Sequence, residues 1–225
     1  MATNARDGEQ LLEMMRGYQV SCVMAAAVDL DLFSQLGETP LSAHDVAQRC
    51  DGSERGITIL LDALAAIGLV TKVDAGYSLP SDLVPYLRAD SIQSAIPMLR
   101  HQSVCLRRWA RLPWIIRAGE PEDQEPTLRG AEADQEAFIH AMHVVSRDVA
   151  PQLIPEISPG GVKCILDLGG ASGSWTLAWL NTEPQARAVL FDLPHVIPMA
   201  RARLSESRVA NRVEYVAGDF YTDAL

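Results

Sequence analysis

The sequence lacks the features of a membrane-spanning or secreted protein. No apolar run approaches the ~18 residues of a membrane span, because the longest candidate, residues 57–70, is interrupted by Asp62. The N-terminal stretch carries Asp7 and Glu9 and has no apolar segment, unlike a signal peptide. We therefore expect a cytoplasmic protein that does not associate with membranes.

Cysteine is scarce in this chain. Four of the 225 residues are cysteines, and successive ones lie 28, 55 and 59 residues apart. This spacing fits neither a zinc site nor a dense disulfide framework. We predict that all four are free, buried thiols in a reducing compartment: Cys22, Cys50, Cys105 and Cys164.

Positive charge is also in short supply. The chain has 19 Lys and Arg against 29 Asp and Glu, a net charge of −10 with a pI near 4.9. Because binding to phosphates needs clustered basic side chains, this balance argues against a general nucleic-acid or anionic-membrane binder. The content of 48% hydrophobic and 21% charged residues is typical of a globular protein.

The N-terminal part of the chain predicts helices followed by a small hairpin. Residues 9–36 show helical spacing with an apolar face wide enough to need a partner. Ser42 and Ser53 stand at the N-caps of two short helices, and residues 74–76 form a hairpin turn. Helix, turn, helix, hairpin is the order of a winged-helix module. Two further helices are predicted over residues 81–118 and 133–157.

A winged-helix module raises the question of DNA binding. The helix that would enter the DNA groove, residues 53–67, has Arg55 as its only basic side chain. The negative charges of Glu54 and Asp62 counteract that positive charge. A structural or dimerising role is therefore favoured for this module.

The helix predicted over residues 133–157 carries Glu136, His140 and His143 on one face. A carboxylate and two imidazoles are metal-ligand chemistry in principle. No further His or Cys at diagnostic spacing supports them, so we predict no metal site.

The most informative stretch begins at residue 162. Residues 162–168 predict a buried parallel strand, residues 169–174 a glycine-rich turn, and a helix follows from Trp175. Strand, glycine turn and helix is the arrangement that brings the backbone close to a nucleotide.

Two more strands follow, each ending in an acid. Asp192 ends the strand 188–191 and lies 23 residues after Gly169, an offset at which a carboxylate can accept hydrogen bonds from both ribose hydroxyls of an adenosine cofactor. A helix is predicted from Pro194. The third strand, 213–216, is followed by Asp219, which could reach an adenine amino group.

The glycine spacing distinguishes two nucleotide-binding classes. The G-x-G-x-x-G fingerprint of hydride-transfer enzymes fails at its second and third glycines. An acid followed by a spaced glycine series, the S-adenosylmethionine pattern, matches at Asp167, Gly169 and Gly173, with Ala171 in place of the middle glycine. An acid before the turn suits a cofactor with an ammonium group, because a carboxylate would repel a pyrophosphate.

At these residues the chain resembles the plant-type and bacterial small-molecule S-adenosylmethionine-dependent O-methyltransferases, which make natural products. The resembling blocks are residues 166–173, 191–196 and 218–221, with residues 117–121 and 138–142 and Ser146 further upstream. The resemblance implies a Rossmann-like α/β domain of seven strands that binds S-adenosyl-L-methionine. It also implies a homodimer built through the N-terminal helices.

The resemblance also implies roles for individual residues. The glycine turn would hold the methionine part of the cofactor, Asp192 the ribose, and Asp219 with Phe220 the adenine. The implied cofactor-binding residues are Asp167, Gly169, Gly170, Gly173, Asp192, Leu193, Gly218, Asp219, Phe220 and Ser146. The implied substrate contacts are Phe138, Met142 and His143. His195 falls where the family has a structural histidine, and we do not interpret it as a base.

We predict three parts: an all-α and winged-helix dimerisation domain over residues 1–100, linking helices that line the active site over 101–161, and the start of the cofactor domain over 162–225. This last part would hold the first three strands of an incomplete domain. The family's general-base histidine is expected beyond Leu225.

The expected function is base-assisted methyl transfer to a hydroxyl of a small, aromatic natural product. Two alternatives stay open: a shortened, catalytically inactive relative that acts as a binding or dimerisation partner, and a winged-helix regulator that senses a small ligand.

Overall fold

The computed structural model describes residues 7–121 and 125–223. The chain forms two compact units, Met1–Ala137 and Phe138–Leu225, and the division falls within one long helix, α9 (Ala131–Ile157). The three-part division at residues 100 and 161 stays a prediction, and its outer limits lie outside the described residues.

The first unit consists of short helices and one hairpin. Its elements are α1 (Gly8–Arg16), α2 (Tyr18–Asp29), α3 (Leu32–Gln35), α4 (Ala43–Arg49), α5 (Glu54–Ala66), β1 (Thr71–Val73), β2 (Gly76–Ser78), α6 (Val84–Leu87), α7 (Ile96–Ala110) and α8 (Leu112–Ala118).

The single helix predicted over residues 9–36 is wrong, because α1, α2 and α3 occupy this region. Asp31 adopts a left-handed conformation, φ +52°, which no α-helix can contain, and it separates α2 from α3. Its carboxylate accepts hydrogen bonds from Ser34 Oγ at 2.8 Å and from Arg100 Nη2 at 2.5 Å, and these contacts hold the bend. Apolar spacing alone does not reveal such a bend.

The predicted helix caps and hairpin of the first unit are confirmed. Ser42 Oγ accepts a hydrogen bond from the Asp45 N–H at 3.1 Å, and Ser53 Oγ accepts one from the Gly56 N–H at 3.1 Å. Strands β1 and β2 pair antiparallel across a two-residue turn. The element order of a winged helix is therefore present in α4, α5, β1 and β2.

The region 81–118, predicted to be helical, contains three helices rather than one. The structure has α6, α7 and α8 there, with no helix over residues 88–95. Pro97 and Pro113 stand in the first turns of α7 and α8. Proline has no N–H to donate and is favoured in the first helical turn, where no partner for that N–H exists, so these two prolines mark the starts of new helices.

The second unit adds a three-stranded parallel sheet to the C-terminal part of α9. Its elements are β3 (Cys164–Leu168), α10 (Ser174–Thr182), β4 (Arg187–Asp192), α11 (Ile197–Leu204) and β5 (Val213–Ala217). The strand order is β3-β4-β5, with Leu168 beside Phe191 and Phe191 beside Val216. The three predicted strands are confirmed, whereas α11 begins three residues after Pro194.

The burial predicted for β3 is wrong. Leu166 and Leu168 are 55% and 47% exposed, and Cys164 at the start of the strand is exposed as well. In the described residues β3 pairs with β4 alone, and its alternate side chains on one face remain uncovered. The central strand β4 is covered instead, with Ala188 and Leu190 fully buried.

The four cysteines are free, as predicted, but they are not buried. Cys22 and Cys164 are exposed, and Cys50 and Cys105 are partly buried. Among the residues that the structure describes, no helix has both the length and the apolar character needed to cross a membrane.

Candidate functional site

The loops that follow the three parallel strands meet at one edge of the sheet. The N–H groups of Gly169 and Gly170 donate to Phe191 O at 2.9 and 3.2 Å, which ties the glycine turn to the end of β4. The Gly218 N–H donates to Asp192 O at 3.0 Å and ties the end of β5 to the same place. Ligands of parallel α/β sheets bind outside the carboxyl ends of the strands. This edge is therefore the candidate site.

The glycine turn has a backbone that few other residues could adopt. Gly169 and Gly173 have φ values of +70° and +74°. A Cβ on Gly173 would also lie 2.7 Å from Leu204 Cδ1, so both conformation and space require glycine there. Ala171, which replaces the glycine of the family pattern, has φ +46° and takes the left-handed conformation despite its methyl group.

Asp192 is the last residue of the middle strand, β4, and lies at the centre of this sheet edge. Its Oδ2 accepts a hydrogen bond from the Ala171 N–H at 2.7 Å, and its Oδ1 accepts one from the Leu193 N–H at 2.7 Å. The carboxylate is half-buried, and each oxygen keeps lone pairs for further donors. An ionised carboxylate oriented in this way can accept hydrogen bonds from two adjacent hydroxyls.

Asp167 points to the neighbouring helix. Its Oδ2 accepts a hydrogen bond from Thr176 Oγ1 at 2.6 Å, and Thr176 is fully buried in the first turns of α10. The pair fixes the start of α10 relative to β3. Sequence reasoning missed Thr176, although a hydroxyl in the first turns of a helix that follows an acid-ended strand is a visible signal.

The loop after β5 carries an acid and two exposed aromatic rings. Asp219 accepts from the Tyr221 N–H through Oδ1 at 2.9 Å, and its own N–H donates to Asp223 Oδ2 at 2.7 Å. Phe220 is 49% exposed, and its ring centroid lies 4.7 Å from that of Tyr221. An exposed ring beside the strand ends can stack on a planar heterocycle.

The site residues predicted on α9 differ in their burial and in their hydrogen bonds. Phe138 is 47% exposed and Met142 is partly buried. Ser146 is buried, and its hydroxyl donates to Met142 O at 2.6 Å, so the hydroxyl is bound by its own helix. A ligand that accepts a hydrogen bond would have to displace that bond to engage Ser146, whereas one that donates would not.

His143 on α9 makes a polar contact with the end of the glycine turn. Its Nδ1 lies 2.9 Å from Ser174 Oγ at the start of α10. Burial, helped by the positive charges of Arg203 and Arg147, lowers the pKa of His143 to about 4, so the ring is neutral near pH 7. Sequence reasoning placed His143 near substrate but missed this contact with Ser174.

No metal centre is seen in the described residues. Among residues 7–121 and 125–223, no group of three or more His, Cys, Asp or Glu side chains could hold a metal ion. His195 is exposed in the turn after β4.

Comparison with known proteins gives two family matches. A family model described as O-methyltransferase domain matches residues 127–225, and one described as O-methyltransferase dimerisation domain matches residues 12–81.

Individual proteins resemble the chain over nearly its whole length. It is 28% identical to a probable bifunctional dTTP/UTP pyrophosphatase/methyltransferase protein of Homo sapiens, over 96% of this chain and 37% of that protein. It is 29% identical to the tetracenomycin polyketide synthesis 8-O-methyltransferase of Streptomyces glaucescens, over 99% of this chain and 68% of that protein. The chain thus spans between about a third and two thirds of the length of these relatives.

A solved structure shares the fold. The crystal structure of LaPhzM superposes with a TM-score of 0.79 at 25% identity, covering 96% of this chain and 68% of that chain.

Proposed function

The chain belongs to the S-adenosylmethionine-dependent O-methyltransferase family, and on this premise we propose that it binds S-adenosyl-L-methionine at the carboxyl edge of its parallel sheet. The single observation that carries the proposal is Asp192, whose two oxygens are oriented by the Ala171 and Leu193 N–H groups beside the glycine turn.

The residues at this edge fit such a cofactor. A Cβ placed on Gly169 would meet nothing within 4 Å, so there is open space beside the turn. The acids at the strand ends, Asp167 and Asp192, suit hydroxyl and ammonium groups and disfavour a pyrophosphate. S-adenosylmethionine supplies a methyl group on a positively charged sulfur, which a nucleophile can attack.

In the proposed arrangement the protein residues bind and orient. Asp192, with the neighbouring Leu193, would accept hydrogen bonds from the ribose hydroxyls. The adenine would be surrounded by Gly218, Asp219 and Phe220, with the exposed Phe220 ring stacked on it. The turn residues Gly169, Gly170 and Gly173 would hold the amino-acid portion together with Asp167.

We propose methyl transfer to a hydroxyl of a small aromatic natural product as the reaction. The family matches and the likeness to a tetracenomycin 8-O-methyltransferase support this reaction class. Phe138, Met142 and His143 remain the proposed substrate contacts, with Ser146 beside the methyl group. A phenol is a poor nucleophile at neutral pH and needs a general base, and we assign that base to none of the described residues.

We also propose that the chain forms a homodimer in the cytoplasm. The dimerisation-domain match supports the first part, as does the apolar surface of α1, on which Leu11, Leu12 and Met15 are 57%, 56% and 73% exposed. Four free cysteines, two of them exposed, are compatible with a reducing compartment.

Calorimetry with S-adenosylhomocysteine tests the cofactor site. Asp192→Ala should weaken binding at least about tenfold, because a carboxylate that binds two hydroxyls contributes charge-assisted hydrogen bonds. The matched control is Asp148→Ala on α9, whose side chain is 79% exposed and which should bind as the wild type does. Equal affinity of wild type and Asp192→Ala would refute the assigned role.

A methylation assay with small phenols separates the proposed enzyme from its alternatives. Turnover supports the transferase. Binding of S-adenosylhomocysteine without turnover of any phenol would favour the inactive binding partner. If a small ligand changed binding to DNA, the winged-helix regulator would be favoured instead.

A further inference from the structure

A chain of three polar side chains joins α9 to the glycine turn. His143 Nδ1 lies 2.9 Å from Ser174 Oγ, and Ser174 Oγ lies 3.0 Å from Ser172 Oγ. All three residues belong to the second unit. We infer that His143 is a positioning residue for cofactor binding, because it holds the Ser174 and Ser172 hydroxyls, and through them the glycine turn, in one arrangement. This inference rests on the proposed cofactor site.

Both serines are buried, which is unusual for serines in a turn. Ser172 is 5% exposed and Ser174 is 7% exposed, so neither hydroxyl can rely on water for a hydrogen bond. A buried hydroxyl without a partner is costly, and a chain of hydroxyls shares one ordering of donors and acceptors. The imidazole at one end of this series of hydrogen bonds therefore decides how both hydroxyls are oriented.

The other end of this series of side chains, Ser172, lies inside the proposed cofactor site. Ser172 follows Ala171, whose N–H donates to Asp192, and precedes Gly173, whose left-handed conformation begins α10. A rotation of the Ser172 or Ser174 side chain would act on the backbone of the same turn. His143 thus reaches the turn through the two serine hydroxyls.

The protonation state of His143 supports this role. A neutral ring can accept a hydrogen bond from Ser174 through Nδ1 or donate one to it, and each tautomer completes the series of hydrogen bonds. Burial and the nearby Arg203 and Arg147 keep the ring neutral, and His140 on the same helix adds to this effect while Asp148 opposes it. Arg203 lies on α11 and the others on α9.

The experiment is a double-mutant cycle on S-adenosylhomocysteine affinity, measured by calorimetry on the full chain. His143→Ala and Ser174→Ala should each raise Kd roughly five- to tenfold, the factor that loss of one hydrogen bond gives. Both changes break the same series of hydrogen bonds. The Kd of the double variant should therefore be no more than about twofold higher than that of whichever single variant binds more weakly. If the factor by which Kd rises in the double variant equals the product of the factors in the two single variants, the inference is overturned.

Rescue distinguishes positioning from general support of the fold. His143→Asn keeps a hydrogen-bonding amide close to the position of Nδ1 and should bind within about threefold of wild type. His140→Ala removes an exposed imidazole from the same helix and should leave Kd unchanged. If His143→Ala binds as wild type does, or if His143→Asn binds as poorly as His143→Ala, the inference fails.

Melting temperatures, measured for every variant, keep the result interpretable. A loss of affinity at a temperature where the variant is fully folded supports positioning. If His143→Ala does not fold, Ser174→Ala and His143→Asn still decide the outcome. A wild-type chain that binds no S-adenosylhomocysteine would overturn the proposed cofactor site as well, whereas binding that depends on Asp192 but not on His143 would overturn this inference alone.

Discussion

The two units of the chain bury their apolar side chains in different ways. In the first unit, fifteen described residues form one continuous cluster of buried side chains that includes Phe33, Leu61 and Leu64. In the second unit the buried side chains fall into three smaller clusters of three or four residues each, two of which are connected through the partly buried Leu177 and Val213. Leu166 and Leu168 of β3, although apolar, are about half exposed. Apolar side chains therefore form one large core in the first unit, whereas in the second unit some of them line an uncovered face of the sheet.

Polar contacts connect the ends of elements in the second unit. Arg212 Nη1 donates to the carbonyls of Glu183, Pro184 and Ala186, and its Nη2 donates to Leu180 O at 2.7 Å. These carbonyls lie at the C-terminal end of α10 and in the loop to β4, where helix carbonyls lack partners within the helix.

The buried Glu183 complements this arginine. Its carboxylate accepts hydrogen bonds from Ser158 Oγ and from the Gly161 N–H. Side chains thus connect the loops at the amino ends of the strands, while Asp192 connects those at the carboxyl ends. Hydrogen bonds specify the geometry of the second unit where apolar packing does not.

The largest expected effect sharpens this contrast. Leu61 is fully buried, so Leu61→Ala should lower the free energy of unfolding of the first unit by about 3 kcal/mol, the typical cost of a cavity in a core. The control is Leu166→Ala, where a 55% exposed side chain should cost less than about 1 kcal/mol. Urea unfolding followed by hydrogen exchange measures both. Equal losses would mean that the exposed face of β3 is covered in solution, which would break the comparison.

A smaller effect is expected at Arg212. Arg212→Ala removes a donor from four carbonyl groups, of which Glu183 O keeps the Ala186 N–H, and should destabilise the second unit by about 2 kcal/mol. Exposed Arg208, four residues earlier, provides the control, since Arg208→Ala should change stability by less than about 0.5 kcal/mol. Hydrogen exchange should show faster opening of α10 and β4 while α2 and α7 remain protected. Faster exchange in both units alike would contradict independent stabilisation.

The smallest effect is expected at Ala171. Its φ of +46° is unfavourable for alanine, so Ala171→Gly should relieve strain, but glycine also gains freedom in the unfolded chain. The net change should be a stabilisation of less than about 1 kcal/mol, seen as a slightly higher melting temperature of the second unit. Gly173→Ala should have the opposite sign, because its new Cβ would meet Leu204 at 2.7 Å. A destabilised Ala171→Gly would mean that the alanine methyl makes a contact that outweighs the strain.

Local signals were sufficient where the chemistry is local. Ser42 and Ser53 cap their helices as predicted, because a cap needs only a hydroxyl three residues before a free N–H. The three strands and the glycine turn were also predicted, since left-handed glycines and an acid at a strand end leave a short signature. Asp192 was chosen from its position after the second strand, and the structure places it against that turn.

Other features depended on residues far apart in the chain. The bend at Asp31 is held by Arg100, 69 residues later, and the His143 contact to Ser174 joins positions 31 residues apart. No periodicity encodes such pairs.

By itself, the sequence determined the element types, the turn that forms the proposed cofactor site and the family to which the chain belongs. Only the tertiary structure decided where helices break, which apolar faces are covered and which polar groups meet. The reason is physical: caps and turns are set by backbone groups within a few residues, whereas burial and hydrogen-bond pairing depend on which elements come to lie against each other.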